Sequence, residues 1–376
     1  MHNPSVQAVY HHLVLEGTAY ECGRQIGEHI MALGEPVRAI YADAREDTPD
    51  RQGGDLHGWL ALNDRYCPDL NDEMRGIAQV LGIPMERLAA NLLWQMPGGC
   101  CSHMAVLPGI TADGHMLAAR SYEWNLDDEM RLVTTRVRGK YAHIGFSIFA
   151  CGRFDGMNEK GLCITMSAGA PGKQPTGGGF AFWAGIRAAL DSCATVSQAE
   201  ELIASMPCFT YDNIILSDRQ GNATLIENAC GHRAMKRIGP DSAERYLYST
   251  NHFTLPGMAE RGILPMWMSA VRHRRIGQVL SAAAPAISRE TLRGLLTATV
   301  PEGLCCHYYR EWFGTLWSMV FDATAGCVEV CFGPPTVNGW HTFALDDPKG
   351  VTRYPAVLPD EACTDPQFFS RDFGSL

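Results

Sequence analysis

The stretch Gly98-Gly99-Cys100-Cys101-Ser102-His103-Met104-Ala105-Val106-Leu107-Pro108 separates two parts of the chain that read differently. Before it, apolar residues recur at helical spacing. After it, short apolar runs alternate with turn residues. The two glycines let the backbone bend sharply, and Cys101 to Leu107 is predicted as a strand. A cysteine at a strand start, followed by a hydroxyl residue, suits a nucleophile at a sheet edge. Two cysteines buried in a core strand would give the same pattern, because free cysteine is commonly buried and inert.

Upstream, Tyr20, Ile26, Ile30, Leu33 and Val37 mark one helix after Gly17-Thr18. Asp69 to Asp72 opens a second, with Met74, Ile77 and Leu81 on one face, which Gly82-Ile83-Pro84 ends. Met85, Leu88 and Leu92 mark a third, ending near Pro97-Gly98-Gly99, and Glu46 to Asp55 is a polar loop. Residues 1–100 thus read as a helical N-terminal segment, and 101–376 as a second unit.

Downstream, Thr111-Ala112-Asp113-Gly114 is a hairpin turn between strands at Cys101–Leu107 and His115–Tyr122. Strands are predicted over 132–137 and 143–150. The tight turn Gly156 to Gly161 leads into another over 162–166. Phe182 to Leu190 is helical, and Ser197 with Glu200 reads as a capping box opening the next helix. Residues 213–216 and 223–227 form a hairpin, and 247–250 is a strand. Helices follow over 266–281 and 289–298, then a hairpin over 316–321 and 328–332, and an irregular Pro-rich end from Pro334. This order predicts an α+β layered fold and excludes βαβ alternation.

The 376 residues are 46% hydrophobic and 19% charged, which excludes a disordered or collagen-like chain. Thirty-one basic residues against 41 acidic ones, a net charge of −10, argue against a nucleic-acid partner or an anionic membrane surface. No run is long enough to span a bilayer, and the start shows no basic and apolar leader, so a cytoplasmic location with reduced thiols is expected. Most of the 14 cysteines, among them Cys151, Cys163, Cys193, Cys327 and Cys331, lie in apolar stretches as small hydrophobes.

Cys100, Cys101 and His103 joined with Cys305, Cys306 and His307 would make a poor zinc site, because adjacent cysteines cannot easily converge on one ion. No metal and no cofactor is expected, and the chain has neither a P-loop nor Rossmann spacing around Gly177-Gly178-Gly179. A Cys–His pair with His103, His252 or His307 is a possible peptidase arrangement, though the papain signature is missing. Arg120 and Glu123, at the end of a strand, have a surface ion pair as their plainer explanation.

Taken together, Cys101-Ser102-His103-Met104-Ala105-Val106-Leu107-Pro108, Thr111-Ala112-Asp113-Gly114-His115 and Arg120-Ser121-Tyr122-Glu123-Trp124 resemble the acyl-coenzyme A:6-aminopenicillanic acid acyltransferase family. That family is related to choloylglycine hydrolases among the N-terminal-nucleophile (Ntn) hydrolases. The segments 15–27, Asp72 to Ala78, Gly156 to Leu162, Thr250-Asn251-His252-Phe253, Gly314 to Ser318 and Cys331 to Pro335 are similar to further motifs of the family, in order. The resemblance implies a four-layer αββα sandwich and a precursor that cuts its own backbone before the nucleophile. The new chain would begin with cysteine, whose α-amine serves as base for its own thiol.

Cys101 is then the implied nucleophile, Arg120 its cation, Glu123 the holder of the α-ammonium or the arginine, and Asn251 the oxyanion donor. The family has Asp at the place of Glu123, and a small residue before the nucleophile where this chain has Cys100. Counting back from Ala105 to Pro108 favours Cys101. Counting from Gly99 favours Cys100, which stays the alternative nucleophile. Tyr122, Trp124, Ser167 and Ala168 are the expected substrate-binding residues, with Phe180, Phe182 and Trp183 as further aromatic candidates for an acyl pocket.

The expected activity is a self-processing amide hydrolase or acyltransferase acting on a small amide or acyl-thioester substrate, with the two cleaved chains associated. A non-catalytic binding protein of the same fold and a Cys–His peptidase are the alternatives.

Overall fold

The computed structural model describes residues 5–43, 55–93, 100–125, 131–147, 150–171, 173 and 179–372. The elements of the N-terminal hundred residues are β1 (Ser5–Gly17), α1 (Ala19–Ala32), α2 (Glu35–Ala42), α3 (Leu56–Tyr66), α4 (Leu70–Leu81) and α5 (Met85–Leu93). Then come β2 (Cys100–Val106), β3 (Leu117–Trp124), β4 (Arg131–Val137), β5 (His143–Ser147), β6 (Gly156–Asn158), β7 (Cys163–Ala168), α6 (Phe182–Ser192) and α7 (Val196–Ser205). The chain continues with β8 (Tyr211–Ser217), β9 (Ala223–Ala229), β10 (His232–Ile238), β11 (Tyr246–Ser249), α8 (Trp267–Ala283) and α9 (Arg289–Thr297). The last strands are β12 (His307–Tyr308), β13 (Phe313–Asp322), β14 (Cys327–Phe332), β15 (Trp340–Ala344) and β16 (Gly350–Pro359).

The strands form two sheets. One has the order β10-β9-β8-β7-β6-β5-β4-β1-β16, the other β11-β2-β3-β13-β14-β15, with β12 on β13. β2 and β3 pack across the sandwich on β7. Helices α1, α6 and α7 cover the outer face of the first sheet, and α8 and α9 that of the second. The expected four-layer αββα order is therefore present. Because successive strand residues face opposite sides, β2 feeds two cores. Cys101 and Ala105 belong to the large core that includes the inter-sheet layer, whereas Met104 and Val106 join the leucines of α9.

Several expectations need correction. The N-terminal segment is not helical throughout: Ser5–Gly17 is a strand, parallel to β4 and antiparallel to β16. Its two histidines hide the strand pattern, yet both are buried, with His12 Nε2 at 2.9 Å from Thr134 Oγ1. The helix expected through Val37 is two helices, broken at Gly34 (φ +92°), with Pro36 in the first turn of α2. Helix α3 and strand β10 were not expected. Thr195 rather than Ser197 caps α7, accepting from Gln198 N. The end after Pro334 carries β15 and β16; Pro355 is tolerated because β16 is an edge strand, paired only with β1. The loop expected at 46–55 lies almost wholly outside the described residues, as do Pro97-Gly98-Gly99 and Gly177-Gly178.

The N-terminal segment is fastened by close packing and by charge. A Cβ on Gly23 would meet Glu73 O at 2.0 Å, and one on Gly76 would meet Tyr20 O at 2.2 Å, so α1 and α4 cross in near backbone contact. Glu73 then reaches α6, where Arg187 donates to its two oxygens at 3.1 and 2.8 Å. Arg187 Nε also donates to Asp191, 3.0 Å away, whose Oδ1 lies 2.9 Å from His143 Nε2. All four residues are buried. Removing one partner of such a pair strands a charge, so Glu73→Gln is expected to lower unfolding free energy by about 3 kcal/mol in urea titration. Removing Glu28 from its exposed pair with Arg24 is expected to cost less than about 1 kcal/mol.

Candidate active site

Cys101 is held at three atoms by three different side chains. It sits in β2 with Tyr122 of β3 opposite, and it is 2% exposed. Its Sγ accepts from Arg120 Nη2 at 3.2 Å. Its backbone N–H donates to Asn251 Oδ1 at 3.0 Å, and its carbonyl oxygen accepts from Arg272 Nη1 at 2.9 Å. Cys100 faces the other side of the strand, among Met268, Cys306, Phe313 and Phe368.

Arg120 is fully buried on the inter-sheet side. Its Nη1 donates to Asp155 Oδ2 at 2.7 Å, and its guanidinium lies over the rings of Tyr122 and Trp317. The surface pair with Glu123 is not formed, since both residues are 0% exposed and on opposite faces of β3. Asp155 is itself fixed by Phe146 N (2.8 Å) and Trp317 Nε1 (3.2 Å).

Asn251 follows β11. Its Oδ1 accepts from Cys101 N and from Arg272 Nη2 (2.8 Å), while its Nδ2 donates to Ala168 O at 3.1 Å. Only one orientation of the amide satisfies all three contacts. Among the described residues, Ala168 O takes one of the two Nδ2 hydrogens. The backbone beside it is braced by Ser269 Oγ, which accepts from Asn251 N, and by Glu227, whose carboxylate accepts from Thr254 N, Thr254 Oγ1 and Leu255 N.

Arg272 of α8 was not read from the sequence. It stands in Arg272-His273-Arg274-Arg275, which looks like a solvated basic face, yet Arg272 is 0% exposed. Besides its contacts to Cys101 and Asn251, it donates to Ser102 Oγ (2.7 Å) and Met268 O (3.1 Å). Asp155 was also missed, because Asp before Gly156 reads as an ordinary turn residue.

Glu123 faces the side of β3 that Cys100 occupies on β2, and the two are directly opposite. Its contacts are loose: Thr315 Oγ1 at 3.4 Å and Arg272 Nη1 at 3.7 Å. Burial pushes its carboxyl up to about 7, with Arg272 opposing. Burial likewise pushes the thiols of Cys101 and Cys100 up to about 12, against the pull of Arg120 on the first and Arg272 on the second.

The remaining expected residues are placed as follows. Tyr122 is a core residue, stacked on Trp317 at 4.2 Å and 1% exposed. Ser167 Oγ donates to Thr250 O, and Ala168 supplies the carbonyl that holds Asn251, so both shape the Asn251 segment. Trp124 is partly exposed at the end of β3, edge-on to Trp312 at 5.2 Å. Phe180, Phe182 and Trp183 are buried in the large core.

The histidines named for a Cys–His pair have other neighbours. His103 Nδ1 is near Thr165 Oγ1, His252 Nδ1 near Ser269 Oγ, and His307 Nε2 near Thr336 Oγ1. All 14 cysteines are free. Among the described residues, the one group of three side chains close enough for a metal ion is Asp113, His115 and Asp322, away from the zinc set considered above.

The Glu123 carboxyl gives a pH prediction for the uncut chain. A raised folded pKa means the folded state keeps the proton longer. The cost of ionising it is therefore absent below the unfolded value near 4.3 and complete above about 7. In a Cys101→Ala background, Glu123→Gln is expected to raise stability at pH 8 by up to about 3 kcal/mol, the gain vanishing near pH 4 in denaturant titrations.

The family model described as acyl-coenzyme A:6-aminopenicillanic acid acyl-transferase matches residues 114–336, more than half of the chain; the match begins after Cys101. No curated protein matches the chain. Similar solved structures include a Caenorhabditis elegans N-acylethanolamine-hydrolyzing acid amidase ortholog (16% identity, 60% of this chain, 93% of that one, TM-score 0.44). Penicillin V acylase from Agrobacterium tumefaciens is 17% identical over 67% of this chain and 90% of its own, with a TM-score of 0.46. A mutant of conjugated bile acid hydrolase from Clostridium perfringens is 14% identical over 68% and 96%, with a TM-score of 0.46. No helix among the described residues is long and apolar enough to cross a membrane. On the family match, the chain belongs to the acyl-coenzyme A:6-aminopenicillanic acid acyltransferase family.

Proposed function

We propose that this protein is a self-processing cysteine amidase or acyltransferase, that Cys101 is its nucleophile, and that the chain is cut between Cys100 and Cys101. The observation that carries the reading is the three-point hold on Cys101: sulfur by Arg120, nitrogen by Asn251, carbonyl by Arg272. Among the described residues Cys100 has no such hold, and it lies in an apolar cluster.

In the first reaction the Cys101 thiol adds to the Cys100 carbonyl carbon. The C–N bond breaks, the nitrogen takes up a proton, and a thioester is left. Water then hydrolyses it to the Cys100 carboxylate and the free thiol. The released amine of Cys101 has an unperturbed pKa near 8 and takes the proton of its own thiol in later turnovers. Glu123, buried opposite Cys100, becomes the counter-ion of the new ammonium.

In turnover the thiol attacks the carbonyl of a small amide or acyl-thioester. Asn251 Nδ2 donates to the oxyanion, and the amine or thiol leaving group takes a proton. Whether water or an amine accepts the acyl group decides between hydrolysis and transfer.

On this reading residues 1–100 and 101–376 are two chains of one molecule, kept together by β1 within the first sheet and by Glu73 on Arg187. The net charge of −10 leaves nucleic acid out of the proposed partners, and a small-molecule substrate is the partner the site suits. A cytoplasmic location remains the reading of the reduced cysteines.

Intact-mass measurement of the purified protein is expected to show fragments of residues 1–100 and 101–376, and a single chain for Cys101→Ala. An uncut chain whose Cys100 and Cys101 also resist iodoacetamide would sink the proposal. In the cut protein, Asn251→Ala is expected to lower kcat on an acyl-amide panel by about 10²–10³-fold, read by product mass spectrometry.

A further inference from the structure

We infer that Asp155 is the positioning residue of this site: it holds Arg120 by one nitrogen so that the other faces the Cys101 sulfur, and it balances the charge of Arg120. The inference rests on the reading of Cys101 as nucleophile and goes beyond it, because Asp155 touches neither the thiol nor a substrate.

The geometry is one of fixed parts. A Cβ on Gly145 would meet Asp155 O at 2.0 Å, so β5 grips the Asp155 backbone closely. The carboxylate is then aimed by Phe146 N on Oδ1 and Trp317 Nε1 on Oδ2. Trp317 is itself clamped between Phe146 and Tyr122, stacked at 4.2 Å on both. Arg120 Nη1 lies at 2.7 Å on this anchor, and Nη2 projects to Sγ at 3.2 Å. A guanidinium is planar, so fixing one nitrogen fixes the direction of the other.

The charge argument follows from burial. Arg120 and Asp155 are both 0% exposed. Beside a lone buried cation the thiol would lose its proton readily; beside a neutral pair it receives a hydrogen bond with much less Coulomb pull. The other charged or titratable groups around Cys101 are Arg272 of α8, Glu123 of β3, and Cys100 and His103 of its own strand. Asp155, unlike these, salt-bridges Arg120.

The test is the pH midpoint of alkylation of Cys101 by iodoacetamide, read peptide by peptide by mass spectrometry, with Cys100 on the opposite face of β2 as internal control. Asp155→Asn keeps the shape and removes the charge. It is expected to lower the Cys101 midpoint by about one pH unit, tenfold in proton affinity, and to leave that of Cys100 in place. Asp155→Glu keeps the charge and is expected to retain the parent midpoint. In an Arg120→Ala background, Asp155→Asn is expected to move nothing further, because its effect passes through Arg120.

An unmoved Cys101 midpoint overturns the inference, as does an equal shift of both cysteines, which would mean general loosening. If Asp155→Asn does not fold, a Cys101 midpoint in Asp155→Glu displaced with that of Cys100 has the same force. These readouts need no turnover, so an inactive or uncut parent protein would count against the proposed function and leave this test standing.

Discussion

Two buried guanidinium groups meet one residue from the two faces of its strand, and much of the surrounding structure exists to make that possible. Arg120 approaches Cys101 from between the sheets, Arg272 from the helical layer. A buried cation is expensive unless its hydrogen bonds are made and its charge is answered. Arg120 is answered by Asp155 and by the faces of Tyr122 and Trp317. Arg272 spreads its donors over Cys101 O, Ser102 Oγ, Asn251 Oδ1 and Met268 O, with Phe313 beneath it. Rigid cations fix the cysteine more firmly than mobile surface charges would, since neither has room to move.

A single irregularity in β13 lets both faces be served. Its register against β3 shifts between Thr315 and Trp317. In a regular strand these two side chains would share a face. With Leu316 inserted they do not: Thr315 reaches Glu123, while Trp317 stacks on Tyr122 and donates to Asp155. Bulges of this kind re-aim side chains next to functional sites. Leu316 is not idle, because its carbonyl accepts from Tyr10 OH at 2.6 Å and so ties β1 to the other sheet.

What could be read from the sequence follows from the range of each interaction. The strands around Asp113-Gly114, the hairpin over 213–227 and helices α4, α5, α6, α8 and α9 carry their signals locally, in periodicity and turn residues. β1 and β16 do not. His11 and His12 look polar but are buried by partners far along the chain, and Pro355 looks disruptive but lies where no neighbour needs its N–H. In the site, Cys101, Arg120, Glu123 and Asn251 stand within quotable motifs. Arg272 and Asp155 do not stand out. Their importance lies wholly in what the fold sets beside them, and a basic run on a helix or an Asp-Gly turn is indistinguishable from surface until the layers close over it.

The same long-range pairing bears on what a cut before Cys101 would do to the fold. β1 lies inside the first sheet, between β4 and β16, so its loss would open two unpaired edges. Glu73 of α4 is the bidentate partner of Arg187, so withdrawal of the helices would strand a buried cation. These costs do not depend on the covalent bond between residues 100 and 101. Breaking that bond would free only the chain ends beside it, at the start of a strand whose next residues are held by β3 and β11. The new amine would then emerge near a buried carboxyl that, in the uncut chain, lies 3.4 Å from Thr315 Oγ1 and 3.7 Å from Arg272 Nη1. The interactions that build the sandwich and those beside the bond between residues 100 and 101 are thus separate sets, which is what a chain cut there would need to keep its shape.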